Sequence, residues 1–376
     1  FGGGYRTSDR FKLTGELSGG DLGTTAQLGT EYLYTDSTTL YANYSIDNER
    51  TDNGLSSRRG NMVSGFRTRY SDSASIYMEE KYTHGDVPTG LTSTLGVDLS
   101  PDEKWNFGAT IDIGSLQDKA TGTTTNRTAY GVNVGYGHES IKLASAFEFR
   151  VDETENPLDA TLSERTTWLT KNSLKYQLTP DWRIVSKLNH SESESTLGEL
   201  YNGDFTEAVI GYGYRPVNND KLNALLKFTY FYNLPATNQT PIANTAAEYI
   251  QKSNIISLDI TYDLTRDWSI GAKYGYRSGE VAFERVNPIF YENQAYLYVL
   301  RADWHIVNKW DLLIESRLLQ QPDIGDQRSG MLTGIYYQVG KNIKAGIGYN
   351  FTDFSDDLTD LDYDSQGFFI NVIGKL

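Results

Sequence analysis

Hydrophobic and polar positions alternate with a period of two over the last ten residues of the chain, Gly367 to Leu376. One face of this stretch carries apolar side chains at alternate positions, among them Phe368, Ile370 and Val372, and the other face is mixed. A period of two indicates a β-strand rather than a helix. We therefore predict that this stretch is a strand with one apolar face.

The same alternation recurs along the chain in about twenty segments of roughly ten residues, a length typical of membrane-spanning strands. Clear examples are residues 253–263, 267–277 and 342–352. In segment 267–277 the apolar positions are Trp268, Ile270, Ala272, Tyr274 and Tyr276, and those between them are Ser269, Gly271, Lys273, Gly275 and Arg277. A long succession of such segments favours a large antiparallel β-structure over a soluble sandwich.

The connections between these segments alternate between two kinds. The first kind is short and rich in turn-forming residues, as in Thr35–Ser37, Ser71–Ser73, Ser100–Glu103, Thr179–Asp181, Thr265–Asp267, Asn308–Lys309 and Gly340–Asn342. The second kind is mostly longer and polar: Asp47–Arg59, Asp152–Arg165, Ser191–Asp204, Pro235–Lys252, Gly279–Asn293 and Phe354–Ser365. Short turns at one rim and longer loops at the other are typical of outer-membrane barrels.

The terminal strand and the loop asymmetry together resemble the bacterial outer-membrane β-barrel proteins. In that family the last strand carries apolar residues at alternate places up to a final aromatic, whereas this chain ends in Leu376. The resemblance implies an all-β, transmembrane antiparallel β-barrel of about twenty strands, with short periplasmic turns and longer polar extracellular loops. It also implies the outer membrane of a Gram-negative bacterium as location, and outer-membrane lipid and lipopolysaccharide as partners.

Two domains are predicted on this basis. Residues 10–376 form the transmembrane β-barrel domain, and residues 1–9 form an N-terminal stub or a periplasmic end. Phe1 to Tyr5 is too short to cross a membrane although Thr7-Ser8-Asp9 after it resembles another short turn.

Tryptophan positions support the assignment of the two rims. Trp105, Trp182, Trp268 and Trp310 each follow a short turn, and Trp304 precedes one. Amphipathic indole rings favour the interface between lipid and water. We expect these five residues to form a periplasmic aromatic girdle, with Trp168 at the opposite rim.

Composition narrows the choice of function. The chain has 376 residues, no cysteine and a net charge of −15, and the charge argues against nucleic acid as a partner. No stretch reaches the 18 or more apolar residues of a spanning helix, so any membrane span is predicted to be β.

Residue types for catalysis or metal binding are sparse. The four histidines are scattered, and we predict neither an enzyme, a cofactor nor a metal site. The acidic run at Asp356, Asp357, Asp360, Asp362 and Asp364 lacks the spacing of a calcium loop and is interpreted as a solvated face.

The most informative charges are those that the alternation places on the polar face of three successive strands. They form a predicted basic strip: Lys142, Arg150, Lys171, Lys175, Arg183 and Lys187. Elsewhere this face mixes both signs, which favours cross-strand ion pairs.

The predicted function is an outer-membrane channel of the porin type that passes polar, in particular anionic, solutes through a polar lumen. The alternative is a C-terminal anchor or export barrel of a larger protein, with a missing domain or a periplasmic protein partner filling the lumen.

Overall fold

The computed structural model describes residues 2–20, 23–50, 56–86, 88–119, 121–155, 157, 161–219, 221–234, 250–285, 287–307, 309–339, 343–352, 354, 358 and 366–374. These residues form an all-β structure of twenty-one strands, in agreement with the predicted class and close to the predicted number. Among them, no helix has the length and apolar character needed to cross a bilayer.

The strands follow one another along the chain with the following bounds: β1 Gly2–Ser8, β2 Phe11–Gly20, β3 Gly23–Leu33, β4 Thr38–Arg50, β5 Ser56–Ser71, β6 Ala74–Gly85, β7 Thr89–Leu99, β8 Trp105–Gln117, β9 Thr124–His138, β10 Ile141–Glu155, β11 Leu162–Gln177, β12 Trp182–Ser195, β13 Gly203–Tyr214, β14 Leu222–Leu234, β15 Ile250–Asp263, β16 Trp268–Ala282, β17 Tyr291–Val307, β18 Trp310–Gln321, β19 Asp326–Gln338, β20 Ile343–Asn350 and β21 Gly367–Gly374. Short 3-10 helices at Glu199–Tyr201 and Pro322–Ile324 lie in connections.

The chain divides into two compact units. The first comprises Phe1–Asn172, Asn189–Asp204 and Ala236–Gln239, and the second comprises Ser173–Leu188, Phe205–Pro235 and Thr240–Leu376. In the first unit, β1 to β10 pair in chain order, each strand antiparallel to the next. In the second unit, β14 to β21 do the same.

The first strand, β1, is the main addition to the predicted set. Gly2 pairs with Glu16 and Tyr5 with Leu13, so residues assigned to a stub continue the antiparallel pattern. Three consecutive glycines hide the alternation of side chains here, because glycine contributes to neither face.

Strand faces segregate as the alternation predicts. On β15, Ile256, Leu258 and Tyr262 are 47%, 37% and 42% exposed, whereas Ser257 between them is buried. On β16, Trp268 and Tyr274 are exposed while Arg277 on the opposite face is buried. We call the exposed side the apolar face and the opposite side the polar face of each unit.

Several strands extend further than the sequence indicates. The predicted loop Gly279–Asn293 shortens to the connection between Ala282 and Tyr291, because the polar residues at its ends continue the ladder. Glu280 pairs there with Lys252 and Glu292. Where both faces carry polar side chains, the sequence shows no alternation although the backbone still pairs. Such strand ends are therefore interpreted as loops from the sequence.

Short turns position the tryptophans through a hydrogen-bond pattern that recurs in the chain. In Thr265-Arg-Asp-Trp268, the Thr265 hydroxyl accepts hydrogen bonds from the backbone N–H of Asp267 (3.2 Å) and Trp268 (3.1 Å). Thr179 does the same for Asp181 (3.3 Å) and Trp182 (3.2 Å). Since this capped turn ends where the strand begins, the indole becomes the first side chain on the apolar face.

Candidate functional site

The polar face of the first unit carries charges of both signs in close pairs. Lys12 lies 3.3 Å from Glu31 on the next strand, and the Arg67 Nη1 to Asp98 Oδ2 distance is 2.6 Å. The register brings such pairs together, since Lys12 lies directly opposite Glu31. Cross-strand neutralisation therefore accounts for much of this face.

Arg67 belongs to a larger polar cluster on this face. Its guanidinium lies 4.6 Å from the centre of the Tyr77 ring on β6. Tyr41 on β4 donates a 2.6 Å hydrogen bond to Glu79, two residues from Tyr77. A cavity of about 540 Å³ adjoins the cluster and is lined by Arg67, Arg69, Asp98 and several serines. This surface can hydrogen-bond polar solutes or water.

Three of the six residues of the predicted basic strip have polar partners. Arg150 lies 3.8 Å from Glu148 and 3.5 Å from Asp152, and Asp152 also binds Arg127 at 2.7 Å. Two carboxylates thus offset the charge of Arg150.

On the next strands, Lys187 Nζ lies 2.7 Å from Glu207 Oε2. Arg183 donates a 2.8 Å hydrogen bond to the neutral amide of Gln177. Among the described residues, Lys142, Lys171 and Lys175 are exposed and have no carboxylate within ion-pair distance. The strip is therefore a mixture of neutralised and uncompensated cations.

The polar face of the second unit is also paired. Arg301 binds Asp303 at 2.8 Å and Arg317 binds Glu315 at 2.6 Å, each pair two residues apart on one strand. This spacing places both members on the same face.

One carboxylate of this unit contacts two side chains. Asp311 lies 2.7 Å from Lys344 Nζ and 2.6 Å from His305 Nδ1. These residues adjoin a cavity of about 880 Å³ at the short-turn ends of the strands, which Arg301 and Asp303 also line.

Four of the predicted girdle tryptophans are the first residues of their strands, and Trp304 lies three residues before the end of β17. Trp268 and Trp304 stack with ring centres 5.1 Å apart, and Trp310 contacts Tyr337 at 4.8 Å. Trp182 stacks on Tyr212, with ring centres 4.6 Å apart.

Trp105 follows a turn that a carboxylate caps. Asp102 accepts 2.8 Å hydrogen bonds from the backbone N–H of Lys104 and of Trp105, and these bonds lower the pKa of the Asp102 carboxyl. The Trp105 ring then packs 4.6 Å from Tyr136. Trp168 instead lies nearer a longer connection, 4.3 Å from Phe149.

An apolar cluster interrupts the polar face of the second unit. Ile255, Ala295, Leu297, Val299 and Leu319 are buried together with Phe354 and Leu358. Phe354 and Leu358 belong to the predicted polar connection Phe354–Ser365, and these two residues are buried and not solvated. Packing against aliphatic strand residues outweighs the polarity of the surrounding sequence.

A sequence signal for this cluster exists in hindsight. Apolar residues stand next to one another at Ile255-Ile256, at residues 297–300 and at Leu318-Leu319, which breaks the alternation. Such a break indicates a strand segment buried on both faces. The predicted polar connection Pro235–Lys252 lies mostly outside the described residues. The five aspartates of the acidic run all lie outside them.

Comparisons with known proteins show that solved structures share the fold of this chain. No family model matches the chain, and no curated protein matches it in sequence. Solved structures do match. The copper transporter OprC is 9% identical with a TM-score of 0.55, over 98% of this chain and 72% of that protein.

Two further neighbours match over similar lengths. The ferric citrate transporter FecA is 12% identical with a TM-score of 0.56, over 99% of this chain and 74% of that protein. The alcaligin outer-membrane receptor FauA from Bordetella pertussis is 11% identical with a TM-score of 0.50, over 92% and 69%.

These neighbours share a fold with the chain at very low identity. They agree with the predicted resemblance to outer-membrane β-barrel proteins at the level of the fold, and they identify no particular family. The three neighbours are named as two transporters and a receptor.

Proposed function

We propose that the chain closes into a membrane-spanning barrel and works in outer-membrane transport, passing polar and preferentially anionic solutes along its polar face. The observation that carries the proposal is the segregation of faces in each unit. Exposed aliphatic and aromatic side chains cover one face, and ion pairs with uncompensated cations cover the other.

The apolar face suits contact with lipid. On β15, Leu258 and Ile256 project from a strand whose other face carries Asp259 and Asp263. An apolar surface of this kind is unfavourable in water and favourable in a bilayer. In lipid, every backbone group needs a partner, which supports closure of the strands on one another.

The polar face suits a water-filled path. Ion pairs such as Lys12–Glu31 are exposed, and exposed Lys142, Lys171 and Lys175 add positive potential that is not locally offset among the described residues. Rings or strips of cations along a pore favour anions. This is the basis for the proposed preference for anionic solutes.

A second candidate is a closed receptor or export barrel whose lumen is filled until a ligand or partner arrives. The buried cluster around Phe354 favours it, because side chains already occupy part of the polar face. The names of the neighbours, a copper transporter, a ferric citrate transporter and an alcaligin receptor, also favour uptake by a receptor.

Swelling of proteoliposomes distinguishes the two candidates. We expect a neutral sugar and an organic anion to enter faster than an organic cation of similar size. The double variant Lys171→Gln/Lys175→Gln should slow the anion and leave the sugar unchanged. Absence of swelling with every solute, in vesicles whose protein is folded by heat-modifiable electrophoresis, would contradict the channel and support the closed receptor.

A further inference from the structure

A cavity on the polar face of the second unit lies near the short-turn ends of β12 to β15. Its volume is about 510 Å³, which is within the range of small-molecule sites, and its lining includes Arg183, Leu225 and Asp259. Leu225 lies directly opposite Asp259 in the ladder between β14 and β15. The cavity thus combines a cation, an aliphatic side chain and a carboxylate.

Two glycines of β13 make the aliphatic side chain accessible. A Cβ atom built on Gly213 would lie 3.8 Å from the carbonyl oxygen of Arg183 and 3.9 Å from Leu225 Cδ1. A Cβ atom on Gly211 would lie 3.4 Å from the same Cδ1 atom. Because these two positions carry no side chain, Leu225 lies over bare backbone, and it is 38% exposed. It offers an apolar contact in the row between Arg183 and Asp259.

The Arg183 guanidinium is oriented by a neutral partner. Its Nε donates a 2.8 Å hydrogen bond to Gln177 Oε1. The Gln177 amide nitrogen donates to the carbonyl oxygens of Thr179 (2.7 Å) and Trp182 (3.2 Å), so the short turn fixes the amide. Among the described residues, no carboxylate lies within ion-pair distance of Arg183, and both its terminal nitrogens are available to a ligand. Two parallel N–H donors of this kind suit a carboxylate.

The Asp259 carboxylate is exposed at the other end of the row. In the part of the chain that the structure describes it has no hydrogen bond or ion pair, although Lys273 lies directly opposite it in the ladder with β16. The other charged residues of the lining, Asp181 and Arg215, contribute one charge of each sign. The lining therefore has no net charge, and a matching ligand carries charges of both signs.

We propose that this cavity binds an organic zwitterion in which an aliphatic chain separates a carboxylate from an ammonium group. Arg183 binds the carboxylate, Leu225 contacts the chain and Asp259 binds the ammonium group. The proposal rests on the solute path proposed above and names a class of solute that this path binds.

Strand spacing indicates the length of the chain. Neighbouring strands lie about 4.8 Å apart, so three spacings separate the backbones of β12 and β15 by about 14 Å. Charged hydrogen bonds of about 2.8 Å at both ends leave a length that an extended chain of six carbon atoms fills.

Ligand-observed NMR titrations of the protein in nanodiscs measure binding without requiring conduction. The probe is 6-aminohexanoate, and the comparison compounds hexanoate and hexylammonium each lack one of its charges. The parent protein should bind 6-aminohexanoate about fivefold more tightly than either compound, the size expected for one exposed ion pair. Glycine, a zwitterion too short to reach both ends of the row, should bind more weakly than 6-aminohexanoate.

Variants at the two ends should separate the two charges. Asp259→Asn should weaken 6-aminohexanoate about fivefold and leave hexanoate unchanged, whereas Arg183→Gln should weaken both compounds. Asp263→Asn is the matched control, because Asp263 lies on the same face of the same strand but outside the lining of this cavity. It should bind 6-aminohexanoate like the parent. Heat-modifiable electrophoresis verifies that each variant is folded.

The outcomes distinguish the site from the channel. Unchanged affinity for 6-aminohexanoate in folded Arg183→Gln and Asp259→Asn overturns the site, and so does an equal loss in Asp259→Asn and Asp263→Asn. Equal affinity of the parent for hexanoate and 6-aminohexanoate overturns the zwitterionic class. The expected affinities in a protein that does not conduct in planar bilayers support the site and contradict the channel function alone.

Discussion

Trp268 and Trp304 lie directly opposite one another on β16 and β17, with ring centres 5.1 Å apart and ring planes within 10° of parallel. Trp268 is the first residue of β16, and Trp304 lies three residues before the end of β17. The pair thus combines cross-strand packing with the position that an interfacial aromatic residue prefers.

Stacking predicts an energetic coupling between these two tryptophans. In a double-mutant cycle with Trp268→Ala and Trp304→Ala, we expect a coupling free energy of about 0.5–1.5 kcal/mol beyond the loss of apolar area. Reversible urea unfolding from lipid vesicles measures it. Additivity within about 0.3 kcal/mol would show that the stack contributes no pairwise energy.

The girdle also predicts which rim faces the periplasm. Leu197 is 52% exposed in the connection between β12 and β13, and Leu197→Cys should react with an impermeant maleimide on intact cells. Asp267→Cys, in the short turn before Trp268, should react only after the outer membrane is permeabilised. Labelling of Asp267→Cys alone on intact cells would reverse the assignment of the rims. Phe354 and Leu358 are unsuitable as reporters of this rim because both are buried.

Opposite faces of β15 should respond differently to a new charge. Leu258→Arg places a guanidinium on the apolar face and should lower the free energy of unfolding by about 2–4 kcal/mol near mid-bilayer. Thr261→Arg, three residues along the same strand, places the same side chain on the polar face and should have a small effect. Equal losses for the two variants, measured by unfolding from vesicles, would refute the assignment of faces.

Substitutions of two adjacent glutamates on β6 should change the free energy of unfolding in opposite directions. Glu80 lies on the apolar face, where the Ser93 hydroxyl donates to its carboxylate at 2.8 Å. Glu79 lies on the polar face and accepts the 2.6 Å hydrogen bond of Tyr41. Because a carboxylate facing lipid is unfavourable, Glu80→Leu should raise the free energy of unfolding by about 1 kcal/mol.

Glu79→Leu is the matched control, since it makes the same change one residue away. It leaves the Tyr41 hydroxyl without its acceptor and should lower the free energy of unfolding by about 1–3 kcal/mol. A stabilising Glu79→Leu or a destabilising Glu80→Leu would mean that the two faces of β6 are interchanged.

The faces of the strands were predictable because apolar and polar residues alternate along the sequence with a period of two. The face containing Ile256 and Leu258 and the position of Trp268 follow from alternation and turn chemistry alone. Strand ends were less predictable. Lys252 and Glu280 pair beyond the apolar segment, and polar residues on both faces give no periodic signal.

Contacts that depend on strand register or on long-range packing could not be predicted from the sequence. Nothing local to Lys187 indicates that Glu207 neutralises it, because the partner is set by how two strands align. The packing of Phe354 against the strands was unpredictable for a similar reason. The breaks in alternation at Ile255 and Leu297 indicate that something covers them, but the pattern does not identify the segment that does.

The reversal potential in a planar bilayer under a potassium chloride gradient tests the central claim most directly. The wild-type protein should conduct with a preference for chloride. Lys171→Gln/Lys175→Gln should shift the preference toward potassium, most strongly at about 0.01 M salt, where the Debye length is about 30 Å.

The matched control, Lys187→Gln/Glu207→Gln, removes two charged side chains that neutralise each other and should leave the reversal potential unchanged. A wild-type protein that inserts but does not conduct, or equal shifts in the two double variants, would contradict a path lined by the polar face.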